Sequence, residues 1–262
     1  MGVHPSAQIA SSAKISPDAE IGPGVVISDF CMVEDEVVIG ANTRLGPHVV
    51  VKRWTTLGAD NKISAGTVLG TDPLDKSFGG ERSYLRIGNG NIIREHYTIS
   101  RGTEPESVTE IGDNNYIMTS GHIAHNCKVG SNNVICSCAL IAGYVEIEDW
   151  AFISGGVGVQ QYSRIGSMVM IAGNSGVNVD APPYFLYAGF RIEPKGVNVV
   201  GLRRAGLDNE QIRTLKRAFR VLFRASLPLD DALKRIQQEL PGEHTKHLVE
   251  FVRSSKRGIS RR

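Results

Sequence analysis

The sequence has no pair of cysteines at metal-binding or redox spacing: Cys31, Cys127, Cys136 and Cys138 form no CxxC motif. That excludes a disulfide framework or a zinc ribbon, and the four read as reduced thiols filling small positions in a cytoplasmic protein. No apolar run is long enough to span a membrane, and no secretory leader is recognisable ahead of the first apolar positions. Aromatic residues are only 6% of the chain and are not interleaved with its basic residues, which speaks against a platform for nucleic-acid bases. Net charge is also nearly absent, at +2, but it is unevenly placed. Residues 203–262 hold 15 Lys and Arg against 7 Asp and Glu, a balance of +8, which leaves −6 for the rest. A basic end of this kind either attracts an acidic protein or a phosphorylated ligand, or is a solvated helix face.

What the chain has in abundance is Ile, Val or Leu at every sixth position. One series runs Val3, Ile9, Ile15 and onward to Ile63 and Leu69; a short one holds Ile87, Ile93 and Ile99; a third runs Ile111, Ile117, Ile123 and onward to Ile171 and Val177. Neither a helix, at period 3.6, nor an alternating strand, at period 2, requires that lockstep. A period of six predicts a β-helix of hexapeptide repeats, in which no single turn can bury its apolar side alone. Three flat sides make a coil of 18 residues, and 27 such hexads make about nine coils, a prism roughly 45 Å long. A small residue often follows the aliphatic one, as in Ile21-Gly22, Ile39-Gly40 and Ile165-Gly166. Glycine there is expected to serve a tight corner, where it accepts positive φ.

Two stretches interrupt the repeat, at 71–86 and 102–110, and both are expected to be surface loops. The repeat region spans 1–183 and ends at Ala181-Pro182-Pro183, because proline stops a regular ladder. A connector is expected at 184–206 and a small helical domain at 207–262. In that domain Asp208 or Asn209 is placed to cap a helix with Ile212, Leu215, Phe219, Leu222 and Phe223 on one face. A second helix is expected from Asp230 to Leu240, and a third around His247, Leu248, Phe251 and Val252.

Histidine is scarce, and the repeat holds only one close pair, in Gly121-His122-Ile123-Ala124-His125-Asn126-Cys127. If Ile123 points inward, His122 and His125 flank one corner and can project outward. Adding 18 places Gly143 over His125 and Tyr144 over Asn126, with Gln161 one coil further. A base beside a backbone N–H suits acyl transfer: one removes a hydroxyl proton, the other meets a developing oxyanion. The spacing alone is equally that of two polar corner residues. Catalytic zinc normally takes three protein ligands, and position 144 offers Tyr, so no metal site is expected.

Several motifs together resemble one family. They are Val3-His4-Pro5, Ile93-Arg94-Glu95 with Arg101-Gly102-Thr103, Gly121–Cys127, Val179-Asp180-Ala181-Pro182-Pro183-Tyr184, Asn198 with Gly201–Gly206, and Phe251–Gly258. The chain is similar along nearly its whole length to the acyl-carrier-protein-dependent UDP-N-acetylglucosamine O-acyltransferases that open lipid A biosynthesis. The resemblance implies an all-β left-handed parallel β-helix with a small C-terminal α-helical domain. It implies a homotrimer with sites between neighbouring prisms, and transfer of an R-3-hydroxyacyl group from the acyl carrier protein thioester to the sugar 3-hydroxyl. No other cofactor is implied. His125 matches the general base and Gly143 the oxyanion donor. His122, Lys76, Asn198 and Arg204 match substrate-binding positions, and Gly173 matches the floor of the acyl groove. The basic helical domain would meet the acidic carrier protein. Related readings are acylation of a 3-amino or other UDP-sugar, and a non-catalytic paralogue that binds carrier protein or sugar nucleotide.

The chain departs from the family pattern around the base. Asn126 stands where the family usually has Asp, and Tyr144 and Gln160, followed by Gln161, stand where it usually has His. Asn126 cannot supply a carboxylate, so a weaker base is expected. Tyr144 and Gln160 still hydrogen-bond but lack the pH-switchable charge of His.

Overall fold

The computed structural model describes residues 2–261. Most aliphatic positions of the repeat close a very short strand, such as Gln8–Ile9, Val26–Ile27 and Arg44–Leu45. Each strand pairs in parallel with the strand one coil further: Ile9 with Ile27, and Ile27 with Leu45. The outcome is a left-handed parallel β-helix followed by four helices. Its three sheets have 11, 9 and 8 strands. Face 1 holds the row from Ile9 to Ile171, face 2 the row from Ile15 to Val177, and face 3 the row from Ile21 to Ile165. Within a strand the first residue points out and the second in, so Arg44 and Lys62 are exposed while Leu45 and Ile63 are buried. Full burial of such an aliphatic side chain contributes roughly 1.5–3 kcal/mol, and the rows repeat it along the whole prism.

The corners differ from expectation in one respect. Apart from Gly70, the glycines directly after the inward aliphatics do not carry the positive φ. That conformation falls two residues later and is held mostly by non-glycine residues, including Asn42, Trp54, Asn126 and Tyr144. Several of their N–H groups reach back to the main chain of the coil below, as Asn42 N–H does to Pro23 O (2.9 Å) and Tyr144 N–H to His125 O (3.0 Å), while Asn126 N–H donates to the Thr109 hydroxyl (2.7 Å). The early glycines are needed because the coils stack closely. A Cβ on Gly40 would lie 2.5 Å from the carbonyl carbon of Gly58.

A buried asparagine ladder runs inside the corner between faces 3 and 1. Asn61 Oδ1 accepts the N–H of Asn91 (2.8 Å), Asn91 Oδ1 that of Asn115 (2.9 Å), and Asn115 Oδ1 that of Asn133 (2.9 Å). Their Nδ2 groups donate to Gly58 O and Gly88 O, Gly112 O, and Gly130 O. Corner amides that no sheet can reach are satisfied this way, as burial requires.

The two interruptions preserve register. Leu57 pairs with Ile87, 30 positions on, and Ile87 with Ile111, 24 positions on, so the loops add two hexads and one hexad to the 18-residue coil. Both leave face 2 and re-enter on face 3, at the same edge of the prism. Strands Val68–Thr71, Tyr84–Ile87 and Val108–Ile111 extend into them, so the irregular stretches are shorter than the breaks in periodicity.

The segment 184–206 is more than a connector. Strand Phe185–Ala188 continues face 1 beside Met170–Ile171, and Glu193–Val197 folds back antiparallel on it. Helix α1 (Val199–Arg204) follows, capped by Asn198, whose side chain accepts the Gly201 N–H. Helix α2 (Asn209–Phe223) starts at Asp208 with a reciprocal capping box to Gln211. Its Phe219 and Phe223 pack on Phe185 with ring centroids 5.2 and 5.4 Å away. Helices α3 (Leu229–Glu239) and α4 (Glu243–Arg253) complete the helical end. No helix among the described residues is long and apolar enough to cross a membrane. All four cysteines are free, and Cys31 and Cys127 donate their thiols to Gly46 O and Ala142 O as corner fillers. Burial pushes the Cys127 thiol up to about 12.

Asn115→Ala leaves the buried Asn133 N–H without an acceptor, so the variant should lose about 1–3 kcal/mol of stability in denaturant unfolding. An unchanged unfolding midpoint would show that the ladder is dispensable. The helical end has a pH-sensitive contact: His247 Nε2 lies 3.0 Å from Glu148 Oε2, and its Nδ1 lies 2.7 Å from the Tyr184 hydroxyl. Hydrogen bonding to Glu148 raises His247, outweighing its burial. Burial pushes Glu148 up, but His247 and Ser167 outweigh that and hold it below the ordinary carboxylate range. The His247 contribution is therefore complete below its unfolded pKa and fades as pH rises through the raised folded one. The Glu148 contribution is present above its unfolded pKa and fades as pH falls through the lowered one. Melting temperature should decline from mildly acidic to mildly alkaline pH, and His247→Gln should flatten that decline.

Candidate active site

His125 is two residues past the inward Ile123, at the edge between faces 2 and 3, and only 5% exposed. The loops at 71–86 and 102–110 open from this same edge, two coils and one coil below it respectively; the first reaches the imidazole directly and the second through Asn126. From the first, Asp75 Oδ2 approaches His125 Nε2 to 3.8 Å. Asp75 is held by the N–H (2.9 Å) and hydroxyl (2.7 Å) of Ser77, and these bonds lower its pKa. Lys76 beside it is exposed. Deeper in the same edge Arg101 is 5% exposed, paired with Asp72 at 2.6 Å and sandwiched over the Trp54 and Phe78 rings at 5.0 and 5.2 Å.

From the second loop come Thr103 and Glu104. The Thr103 N–H donates to Asn126 Oδ1 (3.0 Å), and the Thr103 hydroxyl lies 2.8 Å from that oxygen. Asn126 Nδ2 donates to Glu104 Oε2 (3.0 Å). An N–H on one side and a carboxylate on the other permit only one orientation of the amide, since the flipped form would set donor against donor and acceptor against acceptor. Asn126 Oδ1 therefore faces His125 Nδ1 (3.0 Å) as an acceptor, so Nδ1 carries the hydrogen and Nε2 holds a lone pair.

Gly143 stacks on the imidazole. A Cβ there would lie 2.6 Å from His125 Nε2, so no other residue fits without moving the ring. On the neighbouring edge, the N–H groups of Asn89, Asp113 and Ser131 are capped by side chains of the next coil, at 2.6–2.9 Å. The Gly143 N–H has no such partner among the described residues. Tyr144 meets His125 edge to face at 5.2 Å, stacks on Tyr162 at 4.7 Å, and donates its hydroxyl to Glu104. Burial, then Glu104, raises the Tyr144 pKa, so it stays a neutral donor. His122, on face 2, bonds Thr98 Oγ1 through Nδ1 (2.7 Å), while its buried Nε2 is unpaired. Desolvation lowers its pKa and favours the neutral ring. Gln160 is exposed and Gln161 half-buried, one coil above Gly143.

The remaining candidates lie elsewhere on the prism. Asn198 is 7% exposed and fully engaged, donating Nδ2 to Met168 O (2.8 Å) and capping α1. With Arg204 it borders a cavity of about 390 Å³ over face 1, lined also by Trp150, Phe152 and Met170. Gly173 is exposed at the edge between faces 1 and 2, and a side chain there would meet nothing closer than Gly155 O at 3.4 Å. One chain thus brings together His125, Asn126, Gly143, Tyr144 and the Lys76 loop, but not Asn198, Arg204 or Gly173. Sequence reading missed Asp75, Thr103 and Glu104. The available signal was that both interruptions fall between the same pair of faces, immediately before the His125 coil.

Residues 180–260 match the family model described as UDP-N-acetylglucosamine O-acyltransferase, domain 2. The acyl-[acyl-carrier-protein]–UDP-N-acetylglucosamine O-acyltransferase of Thermodesulfovibrio yellowstonii is 43% identical over 97% of this chain and 99% of its own. The protein of the same name from Syntrophobacter fumaroxidans is 39% identical over the whole of both chains, 100% of each. Among solved structures, the UDP-N-acetylglucosamine acyltransferase of Francisella novicida superposes with a TM-score of 0.85 at 36% identity, covering 99% of this chain and 94% of that one. The UDP-N-acetylglucosamine O-acyltransferase of Moraxella catarrhalis gives 0.87 at 35%, covering 100% of both. Fold and relatives together define a hexapeptide-repeat acyltransferase. More narrowly, the chain belongs to the acyl-[acyl-carrier-protein]–UDP-N-acetylglucosamine O-acyltransferase family.

Gly143→Ala should leave the fold intact and displace the His125 ring, visible in a crystal structure of the variant. An imidazole that stays in place beside the new methyl group would contradict the packing described here.

Proposed function

We propose that the protein transfers an R-3-hydroxyacyl group from the acyl carrier protein thioester to the 3-hydroxyl of UDP-N-acetylglucosamine, the opening step of lipid A biosynthesis. The observation that carries this reading is the unshared His125 Nε2 beside the unengaged Gly143 N–H. Nε2 takes the proton of the sugar hydroxyl as its oxygen attacks the thioester carbonyl. The C–O bond forms, the carbonyl electrons move onto oxygen, and the Gly143 N–H receives that oxyanion. Collapse of the intermediate breaks the C–S bond, and the imidazolium returns its proton to the departing thiolate. A base contributes roughly 10²–10⁴ in rate and one oxyanion donor roughly 10²–10³. Asn126 serves by fixing the tautomer in which Nε2 is the acceptor. Asp75 places an acceptor near Nε2, suited to holding a sugar hydroxyl, and the exposed Lys76 follows it in the same loop. Tyr144, Gln160, Gln161 and His122 line the approaches to the same edge.

Asn198 and Arg204 lie over face 1 and Gly173 on the edge between faces 1 and 2, so they can contribute to this chemistry only from neighbouring copies. That favours a homotrimer in which each site is shared, with α1 of one subunit holding the nucleotide and the Gly173 edge flooring the acyl chain. The basic helical end, +8 over residues 203–262, suits docking of an acidic carrier protein.

The test is an acyl-transfer assay with UDP-N-acetylglucosamine, a 3-amino analogue, and R-3-hydroxyacyl carrier proteins of several chain lengths. His125→Ala should lower kcat at least 10²-fold without unfolding the protein. Undiminished turnover in that variant would remove His125 from the mechanism, and exclusive use of the 3-amino acceptor would reassign the substrate.

A further inference from the structure

The residue that orients His125 is an amide, and an amide carries no charge to stabilise an imidazolium. The charge is nevertheless present one bond further out. Glu104 Oε2 accepts the Asn126 Nδ2–H at 3.0 Å, and Asn126 Oδ1 receives the His125 Nδ1–H at 3.0 Å. The two bonds lie on opposite ends of one conjugated amide. Donation from Nδ2 to a carboxylate drives electron density onto Oδ1 and strengthens Oδ1 as an acceptor, the cooperativity expected of hydrogen-bond chains. Three further contacts hold Glu104 in place. The Tyr144 hydroxyl donates to its Oε1, the Thr103 hydroxyl lies 2.9 Å from Oε2, and Ser107 Oγ donates to its backbone carbonyl (2.7 Å). The same contacts keep Glu104 ionised: the Tyr144 hydrogen bond, against some burial, and then Thr103 lower its pKa. No cationic side chain pairs with it among the described residues, so its charge is directed at the amide and the tyrosine.

Building on the base assignment above, we infer that Glu104 is a positioning residue for the transfer reaction: through Asn126 it supplies the negative charge that stabilises protonated His125. The second inserted loop thereby completes the base, and its single extra hexad is what carries the carboxylate into reach. Tyr144 becomes intelligible in the same way. It is a neutral donor that pins the carboxylate from the coil above while its ring packs perpendicular to the imidazole.

The experiment compares the full-length enzyme with Glu104→Gln, Glu104→Asp, His125→Ala and the double variant Glu104→Gln/Asn126→Asp, reading kcat, KM and the pH profile of kcat/KM. Glu104→Gln keeps the shape of the side chain and removes its charge. It should lower kcat about five- to tenfold with little change in KM, as expected for a charge several ångströms from the imidazole at partial solvent exposure. Its acid limb should move to lower pH, because removing the counter-charge no longer favours the protonated ring. The double variant returns the charge directly to His125 Nδ1 and should restore both the rate and the limb, and Glu104→Asp should recover part of each. A Glu104→Gln enzyme with wild-type rate and pH profile would overturn the proposal. So would one that is slower with an unmoved limb and no recovery in the double variant, since that is the pattern of a loop displaced for structural reasons. Full activity in His125→Ala would instead overturn the base assignment, whatever Glu104 does.

Discussion

Everything in this molecule depends on the stacking of one coil on the next through parallel main-chain hydrogen bonds. No coil has a core of its own: an inward Ile is buried only because the coils above and below cover it. The ladder fixes vertical register to a single residue, so Ile27 stands on Ile9 and Leu45 on Ile27. The same coupling sets the corners. Backbones come close enough that Gly40 admits no side chain, and corner amides out of reach of the sheets are satisfied by the asparagine ladder from Asn61 to Asn133.

The candidate site inherits its precision from that stacking. Gly143 touches His125 because they are the same corner on consecutive coils, and Tyr144 stands over Asn126 for the same reason. A rigid edge places an imidazole and a backbone N–H with no need for a mobile catalytic element. The adjustable parts are the two loops. Each adds whole hexads to its coil, so a loop can be inserted without disturbing the rows on either side. They place Asp75 at one nitrogen of His125 and, through Asn126, Glu104 behind the other.

At the C-terminal end the open edge of face 1 is closed by an antiparallel hairpin, and the phenylalanines of α2 cover Phe185. The prolines at 182 and 183 do end the regular coils, but face 1 continues past them. The hairpin places Asn198 against Met168 and starts α1 beside the cavity that Arg204 borders. Asn198 thus works as a structural cap as well as a candidate ligand, a double duty that its spacing gives no sign of.

The sequence by itself determined the repeat, its period and the stacking of His125 under Gly143, because a periodic core leaves one aliphatic mark per turn and fixed turns make neighbours calculable. It also determined the last three helices, α2 to α4, from apolar spacing and the Asp208 cap, but not α1. Tertiary structure alone decided what the irregular parts do. A loop has no period, so nothing in Thr103 or Glu104 announces that it returns to Asn126 23 or 22 positions later. Corner chemistry is illegible for a related reason: glycine is the common solution for positive φ, but here hydrogen bonds to neighbouring turns hold Asn126, through the Thr109 hydroxyl, and Tyr144, through His125 O, in that conformation, and glycine is needed for close approach instead. Which edge each candidate residue occupies was likewise decided in three dimensions, by counting faces around a closed prism.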